Sequence, residues 1–497
     1  MVQEQFLVPE KIDIPLILTS LGYNTRYVED HQDKYNYVLH KITEGRVFNK
    51  SIEADGYTPL HMGTLEDFLG RRYGGKVVKE LLSKGIIQRD YYVNGVKSFG
   101  YRIAPQYMSK CVLRMVYKDE VMGRKLKLQH AAYGKTHEKN LYWKNLTKFG
   151  IREEAAVGYI DEKVAFTMQQ LEVFQASCPC PTPALSLPTP GGKAFSEEEV
   201  VGVEGGLEDW LSSYSSFLFS FSPLGGGRGG CYSLMNVHLL KKSLYNTHNQ
   251  NFTPIDVVRN SVINQYNADL ISIKKFARGR FFIEQPDQQS RVYTNLSNLN
   301  SDLRQFLYYK PTKGKVVNLD IRNSQPYLFS LLLMDQYRDQ PLPDDVALYI
   351  TLTATGKFYE EMMVHLGVAS SDRRAFKIRF FASIFFCKAH YSQCTVEGKV
   401  FKTLFPNVSR LVSHYKKAGH NQLAIRMQRA EAFIILKTVG AELGKQHIWW
   451  SSIHDSVVVE EAHAEAVKAL ILKAFMAAVG IPPTIQQEVW TTGELVG

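Results

Sequence analysis

Little in this chain speaks for a secreted or membrane setting. Only six of its 497 residues are cysteine (Cys111, Cys178, Cys180, Cys231, Cys387, Cys394), and their spacing is not that of a disulfide framework. Cys178-Pro-Cys180 has no matching Cys/His pair at finger spacing, so free thiols are expected and structural zinc is not. No apolar run reaches the roughly 18–20 residues that cross a bilayer. The opening Met1-Val-Gln-Glu-Gln-Phe-Leu7 lacks a basic segment followed by an apolar one, the mark of a secretory signal. An intracellular protein with no membrane partner is expected, in cytoplasm or nucleoid, or in an organelle or nucleus if the cell is eukaryotic.

Charge is present in excess of one sign. Lys and Arg number 59 against 49 Asp and Glu, a net charge of +10 with pI near 9.0. That balance suits a polyanionic partner. The hydrophobic content of 45% is ordinary for a folded chain, and the length allows two or three domains.

Composition divides the chain. Residues 178–230 are rich in Pro, Gly and Ser and carry Lys193 and Arg228 against Glu197, Glu198, Glu199, Glu204, Glu208 and Asp209. An acidic, low-complexity insert of this kind predicts a disordered or flexible linker, with an aromatic patch from Trp210 to Phe221 able to dock elsewhere. Before it, residues 1–177 form an N-terminal region. Lys76 to Lys84 reads as a helix stopped by Gly85. Ile86 to Val93, the turn Asn94-Gly95 and Lys97 to Ile103 read as a hairpin. Helix plus basic hairpin, about residues 64–105, resembles a winged helix, with Lys97 and Arg102 on the wing. Arg124-Lys-Leu-Lys127 reads as a solvated face. Beyond the insert, Thr253 to Phe276 is helix-like.

The most informative stretch is Asp372 to Phe386. Arg373, Lys377, Phe381 and Phe385 recur every four residues and so line one face of a helix. Two cations then two rings can hold a polyphosphate at one end and a base and sugar at the other. Taken alone, the stripe is also what any amphipathic helix shows. Two flanking carboxylates change that. Asp320 ends the apolar strand Lys315-Val-Val-Asn-Leu-Asp320, where α/β-type sheets place ligand sites; Ser324 is the expected cap of the helix that follows. Asp455 lies in His454-Asp455-Ser456, the turn between β-rich runs 448–453 and 457–461, with a helix from Ala462 to Val479 after it.

Together these residues resemble a divergent family A DNA polymerase, the group of bacterial polymerase I and its phage relatives. The family's first motif, Asp-Tyr-Ser-Gln-Ile-Glu-Leu, aligns without gaps with Asp320-Ile-Arg-Asn-Ser-Gln-Pro326. Its second, Arg-x3-Lys-x3-Phe-x3-Tyr-Gly, is matched by Arg373, Lys377, Phe381 and Phe385, and its third, His-Asp-Glu, by His454-Asp455-Ser456. Arg291 and the run Asn421 to Gln428 stand where the family has a primer-reaching arginine and a template-contacting Gln helix. The likeness spans roughly residues 285–497.

The resemblance implies an α+β fold of right-hand form. Thumb and start of palm would occupy 231–310, the duplex-gripping part about 236–285, and palm and fingers 311–497. It implies template-directed nucleotidyl transfer in DNA replication, of a mobile element or phage, on a DNA primer-template with dNTPs, with RNA as an alternative template. Asp320 and Asp455, with the Ile321 carbonyl, would hold two Mg²⁺ ions, for which Mn²⁺ can substitute. Arg373 and Lys377 would bind the triphosphate; Phe381 and Phe385 would stack on nucleotide and template base; His454 would touch the primer-end phosphate. Departures are Gln325 for the glutamate that excludes the ribose 2′-hydroxyl, Phe385 for a tyrosine, Phe386-Cys387 for the glycine after it, and Ser456 for a glutamate. Sugar choice is therefore open. No Asp-x-Glu exonuclease signature occurs in the first 170 residues, so no editing is expected. Alternatives are a non-catalytic nucleic-acid-binding replication protein, a primase-like enzyme using NTPs, and a two-metal nuclease.

Overall fold

The computed structural model describes residues 5–48, 56–90, 98–115, 121–125, 137–178, 209–218, 231, 232, 234, 240, 253–287, 289–417, 419 and 421–490. It is an α+β chain in two compact units. One comprises Met1–Ala132 with Glu153–Arg278, the other Tyr133–Arg152 with Gly279–Gly497. These cuts do not follow the compositional boundaries.

In the first unit, β1 (Gln5–Pro9) pairs antiparallel with β5 (Cys111–Met115), and β2 (Thr58–Pro59), β4 (Gly100–Ile103) and β3 (Ile87–Arg89) form a small antiparallel sheet in that order. Helices Thr25–Phe48, Met62–Leu69 and Arg71–Ser83 bury Val38, Leu39, Ile42, Leu65, Val77 and Leu81 together with Ile87 and Ile103. Burial of this apolar set, at about 25 cal/mol per Å², is the main stabilising term here. The predicted helix end appears at Gly85, whose φ of +64° suits a residue without Cβ. The predicted hairpin strands pair as Ile87↔Ile103 and Arg89↔Tyr101. Its turn, with Asn94, Gly95 and Lys97, lies outside the described residues.

Two sequence expectations are corrected in this unit. Arg102 is not on an exposed wing: it is 4% exposed, donates to Gln88 Oε1 (2.9 Å) and covers the Tyr57 ring. Every residue of β4 is buried, so strand alternation does not deliver Arg102 to solvent. Part of the presumed linker is folded. Residues 209–218 are helical, with Trp210 stacked on Tyr214 (5.2 Å between centroids) and set edge-on to Phe174 of helix Glu153–Ser177 (5.5 Å). The rest of 179–230 lies outside the described residues. Arg124 is exposed, and Lys125 donates to the carbonyls of Asp67 and Phe68. Helix Pro254–Ala277 begins on a capping box, Thr253 with Asp256, and belongs to this unit, so residues 231–310 are divided between the two.

The second unit contains β6 (Phe149–Ile151), β7 (Ile283–Glu284), β8 (Tyr293–Thr294), β9 (Leu307–Tyr309), β10 (Val316–Ile321), β11 (Trp450–Ile453), β12 (Ser456–Glu460) and β13 (Ile485–Val489). β6 pairs with β9 and β7 with β8. The last four strands form one sheet in the order β11-β12-β10-β13, antiparallel throughout. The strand-end rule of parallel α/β sheets therefore does not apply to Asp320; its place is set by antiparallel register. The run Val-Val-Asn-Leu-Asp-Ile sends Val317, Leu319 and Ile321 to one face and Val316, Asn318 and Asp320 to the other.

Helix Ser324–Gln336 follows β10. Its cap is Asn323, in the left-handed region (φ +54°) and with no side-chain capping bond, rather than the expected Ser324. Asn tolerates that conformation better than most residues. An aromatic core, Phe329, Tyr349, Phe358, Phe380, Phe401 and Phe405, holds the helices after β10 together. Among the described residues, no helix is long and apolar enough to cross a membrane.

Candidate active site

Register brings the two candidate aspartates together. Asp320 faces Ser456 across β10 and β12, and Asp455 is the residue before Ser456. Ile453 pairs with Ser456, so His454 and Asp455 form a two-residue turn, with His454 at φ +54°. Asp320 is half-buried. Burial first, then the negative charge of Asp455, pushes its carboxyl up to about 7; Lys377 opposes this, and Glu488 and Glu431 add to it. A carboxylate raised by burial beside a second carboxylate makes an electrostatic sink for a cation.

Lys377 lies on helix Arg373–Phe381, exposed, its ammonium 5.7 Å from the centre of the Tyr359 ring. Its charge reaches Asp320. Arg373 starts the same helix and donates through Nε to Glu360 (2.7 Å), a partner no local spacing announced. The predicted stripe is not straight to its end. After Phe381 the helix widens into a π-turn over Ala382–Phe386, which changes the phase by a residue. Phe385 is fully buried beneath Phe381 (5.3 Å, stacked) and against Phe329, so of the two rings Phe381 alone is partly exposed.

Arg291 does not reach outward with its whole fork. Its Nε and Nη2 donate to the two oxygens of Glu431, both at 2.6 Å. Glu431, near the end of helix Gln422–Ala432, is 0% exposed and also accepts from Gln325 Nε2 (2.9 Å) and Ser324 Oγ (3.4 Å). Burial pushes its carboxyl up to about 7, with the Arg291 bonds opposing and Asp455 adding. The charge of Asp455 also reaches Arg291. Asp320, Asp455, Lys377, Glu431, Arg291 and Gln325 thus form one cluster. Gln428 is half-buried one turn before Glu431, and Asn421 caps the helix at its exposed start. His454 meets Tyr293 edge to face at 5.7 Å. Ile321 is buried in β10.

Sequence reasoning missed Glu431, Glu488 and Arg304. Glu431 left a signal: it is the one acid in Ala430-Glu-Ala-Phe-Ile-Ile-Leu436. Arg304 left none. Burial draws its guanidinium below the ordinary range, while Glu488, Asp320 and Asp302 pull the other way. Glu488 stands opposite Asn318 on β13.

Among the described residues no group of three or more His, Cys, Asp or Glu is arranged to hold a metal. The adjoining carboxylates of Asp320 and Asp455 are nonetheless a donor set of the kind that suits Mg²⁺, which keeps water and substrate oxygens rather than an all-protein cage. No family model matches the chain, and no curated protein matches it. Among solved structures it is similar to the POL domain of Pol1 from M. smegmatis in complex with DNA primer-template and dNTP. That likeness has a TM-score of 0.38 and 11% identity over 75% of this chain and 72% of the other.

Proposed function

We propose that residues 279–497 carry out template-directed nucleotidyl transfer, as a DNA polymerase without an editing exonuclease. The observation that carries this reading is the meeting of Asp320 and Asp455 at adjoining strand ends, within reach of the charge of Lys377. Phosphoryl transfer needs little covalent help from protein and much placed charge. Asp320 and Asp455, with the Ile321 carbonyl, would hold divalent cations, which supply Lewis-acid stabilisation of the attacking and leaving oxygens when bound.

The chain's own groups do the rest. Lys377 offsets charge gathering on the leaving pyrophosphate, as an ammonium beside phosphate does. Arg373, held by Glu360, binds the distal phosphates by exchanging that surface partner for a stronger anion. Phe381 offers a partly exposed ring to the base, and Phe385 backs it. His454 borders the primer end, and Asn421 and Gln428 border the template. The basic charge of the chain serves the same polyanion.

The test is extension of a labelled primer–template with Mg²⁺ or Mn²⁺, with dNTPs and NTPs in separate reactions. Extension is expected with wild type and none with Asp320→Ala or Asp455→Ala. Tight duplex binding without extension by the wild type would refute the catalytic reading and favour a binding protein.

A further inference from the structure

Lys416 is a cation in the interior. It follows helix Pro406–Tyr415 as its C-terminal cap and is only 5% exposed. Its ammonium donates to the Ile384 carbonyl and lies 3.8 Å from Cys387 Sγ, so its partners are a carbonyl and a thiol rather than a carboxylate. Lysines are almost never fully buried without a counter-ion. Burial draws this one's pKa below the ordinary range, with the neighbouring thiol opposing. The fold therefore holds the group at a cost, and the place where it points supplies the reason.

Ile384 lies in the π-turn Ala382–Phe386, which Cys387 ends in an extended conformation (φ −80°, ψ 167°). The last carbonyls of a helix have no intrahelical partner and need outside donors. Here Lys416 serves Ile384, and Cys387 Sγ serves Ser383 at 2.8 Å. A cation is favoured at this negative end of the helix dipole. The residue before Lys416 is anchored to the same place: Tyr415 and Phe385 both meet Phe329 edge to face, at 6.5 and 6.1 Å. The turn capped in this way carries both rings that border Phe381, Phe385 stacked at 5.3 Å and Phe386 edge-on at 4.8 Å.

Resting on the nucleotidyl-transfer reading, we propose that Lys416 is a positioning residue for the incoming nucleotide. It touches neither nucleotide nor metal. By capping the π-turn it fixes Phe385 and Phe386, and these two rings hold Phe381 at the angle that meets the base. Single π-turns inside helices recur at functional sites. This one is secured by a side chain from a separate helix, 32 residues further along the chain.

Steady-state single-nucleotide extension by the full chain, with thermal melts to check folding, tests this. Lys416→Met keeps the length of the side chain and removes the ammonium. It should raise KM for each dNTP about tenfold, the low end for a hydrogen bond to a charged group, and leave kcat nearly unchanged. In a Phe381→Ala background the same substitution should barely move KM, because the ring that Lys416 positions is gone. Cys387→Ala, which removes the thiol cap of Ser383 and keeps Lys416, should raise KM about threefold, the low end for a neutral hydrogen bond. It carries the test if Lys416→Met does not fold. A merely structural Lys416 would lower the amount of active enzyme, reducing kcat without moving KM, and its effect would persist in the Phe381→Ala background. That result, or an unchanged KM in both single variants, would overturn the inference while leaving the polymerase reading intact. A wild type that extends no primer would overturn both.

Discussion

Asp320→Asn should make the metal-free protein more stable at pH 8, because the native fold holds this carboxylate at a cost. Burial and Asp455 raise its pKa from 3.8 to about 7. In the unfolded chain the group ionises near pH 4. Below that pH both states are protonated and the shift has no effect. Between pH 4 and 7 the unfolded state loses its proton while the native state keeps it, so stability falls by about 1.4 kcal/mol per pH unit. Above pH 7 the penalty is constant. Three units would give about 4 kcal/mol, and since Asp455 shares the repulsion and solvent reaches part of the site, about 2–4 kcal/mol is the expected gain for Asn at pH 8. Urea melts in EDTA at pH 4 and pH 8 measure it. The variant should gain at pH 8 and match wild type at pH 4, and adding Mg²⁺ should narrow the gap by stabilising wild type alone. A variant no more stable than wild type at pH 8, or a gain independent of pH, would refute the account of the aspartate pair.

Three other outcomes follow from the same structure. Lys377→Ala removes a cation whose charge reaches Asp320 and should lower kcat/KM for nucleotide by about 10- to 150-fold, the range for a hydrogen bond to a charged group, read by steady-state extension. Trp210→Ala deletes a buried ring between Tyr214 and Phe174 and should cost about 3 kcal/mol in a urea melt; a loss under about 0.5 kcal/mol, the size expected for a surface change, would mean that residues 209–218 do not dock. Gly440→Ala drives its new Cβ into the Trp450 indole, a rigid neighbour, and should lower the melting temperature, whereas Gly444→Ala meets nothing and should leave it unchanged or raised.

What the sequence made legible was local. The β10 strand is written in the alternation of Val317, Leu319 and Ile321 with Asn318 and Asp320, and the β11–β12 hairpin in two β-rich runs around His454-Asp455. The helix at Arg373 is written in its four-residue spacing. Illegible features depended on distant partners or on burial. Phe385 still stacks on Phe381 but is fully buried, packed against Phe329, a burial the four-residue spacing does not announce. Arg102 looked like a surface cation because a hairpin strand ordinarily has a wet face, and β4 has none. Glu360 and Glu431 lie 13 and 140 residues from the arginines they bind, beyond the reach of any local pattern. Composition averaged over residues 178–230 concealed a ten-residue helix with three buried side chains, Trp210, Leu211 and Tyr214.

The short strand β6 bears on how the chain is made. It emerges from the ribosome long before β9, its partner at Leu307–Tyr309, and the loop between them carries helices of the other unit. Nearby, Trp449 donates to the Asn145 carbonyl (2.9 Å) and packs edge-on against Phe149 (4.8 Å). Residues 137–152 must therefore wait for β9 until the whole intervening stretch has been made. A fragment starting at Gly279 would expose the edge of β9 and the indole of Trp449, so excision of the catalytic half for separate expression invites aggregation unless that early segment is spliced back to its front.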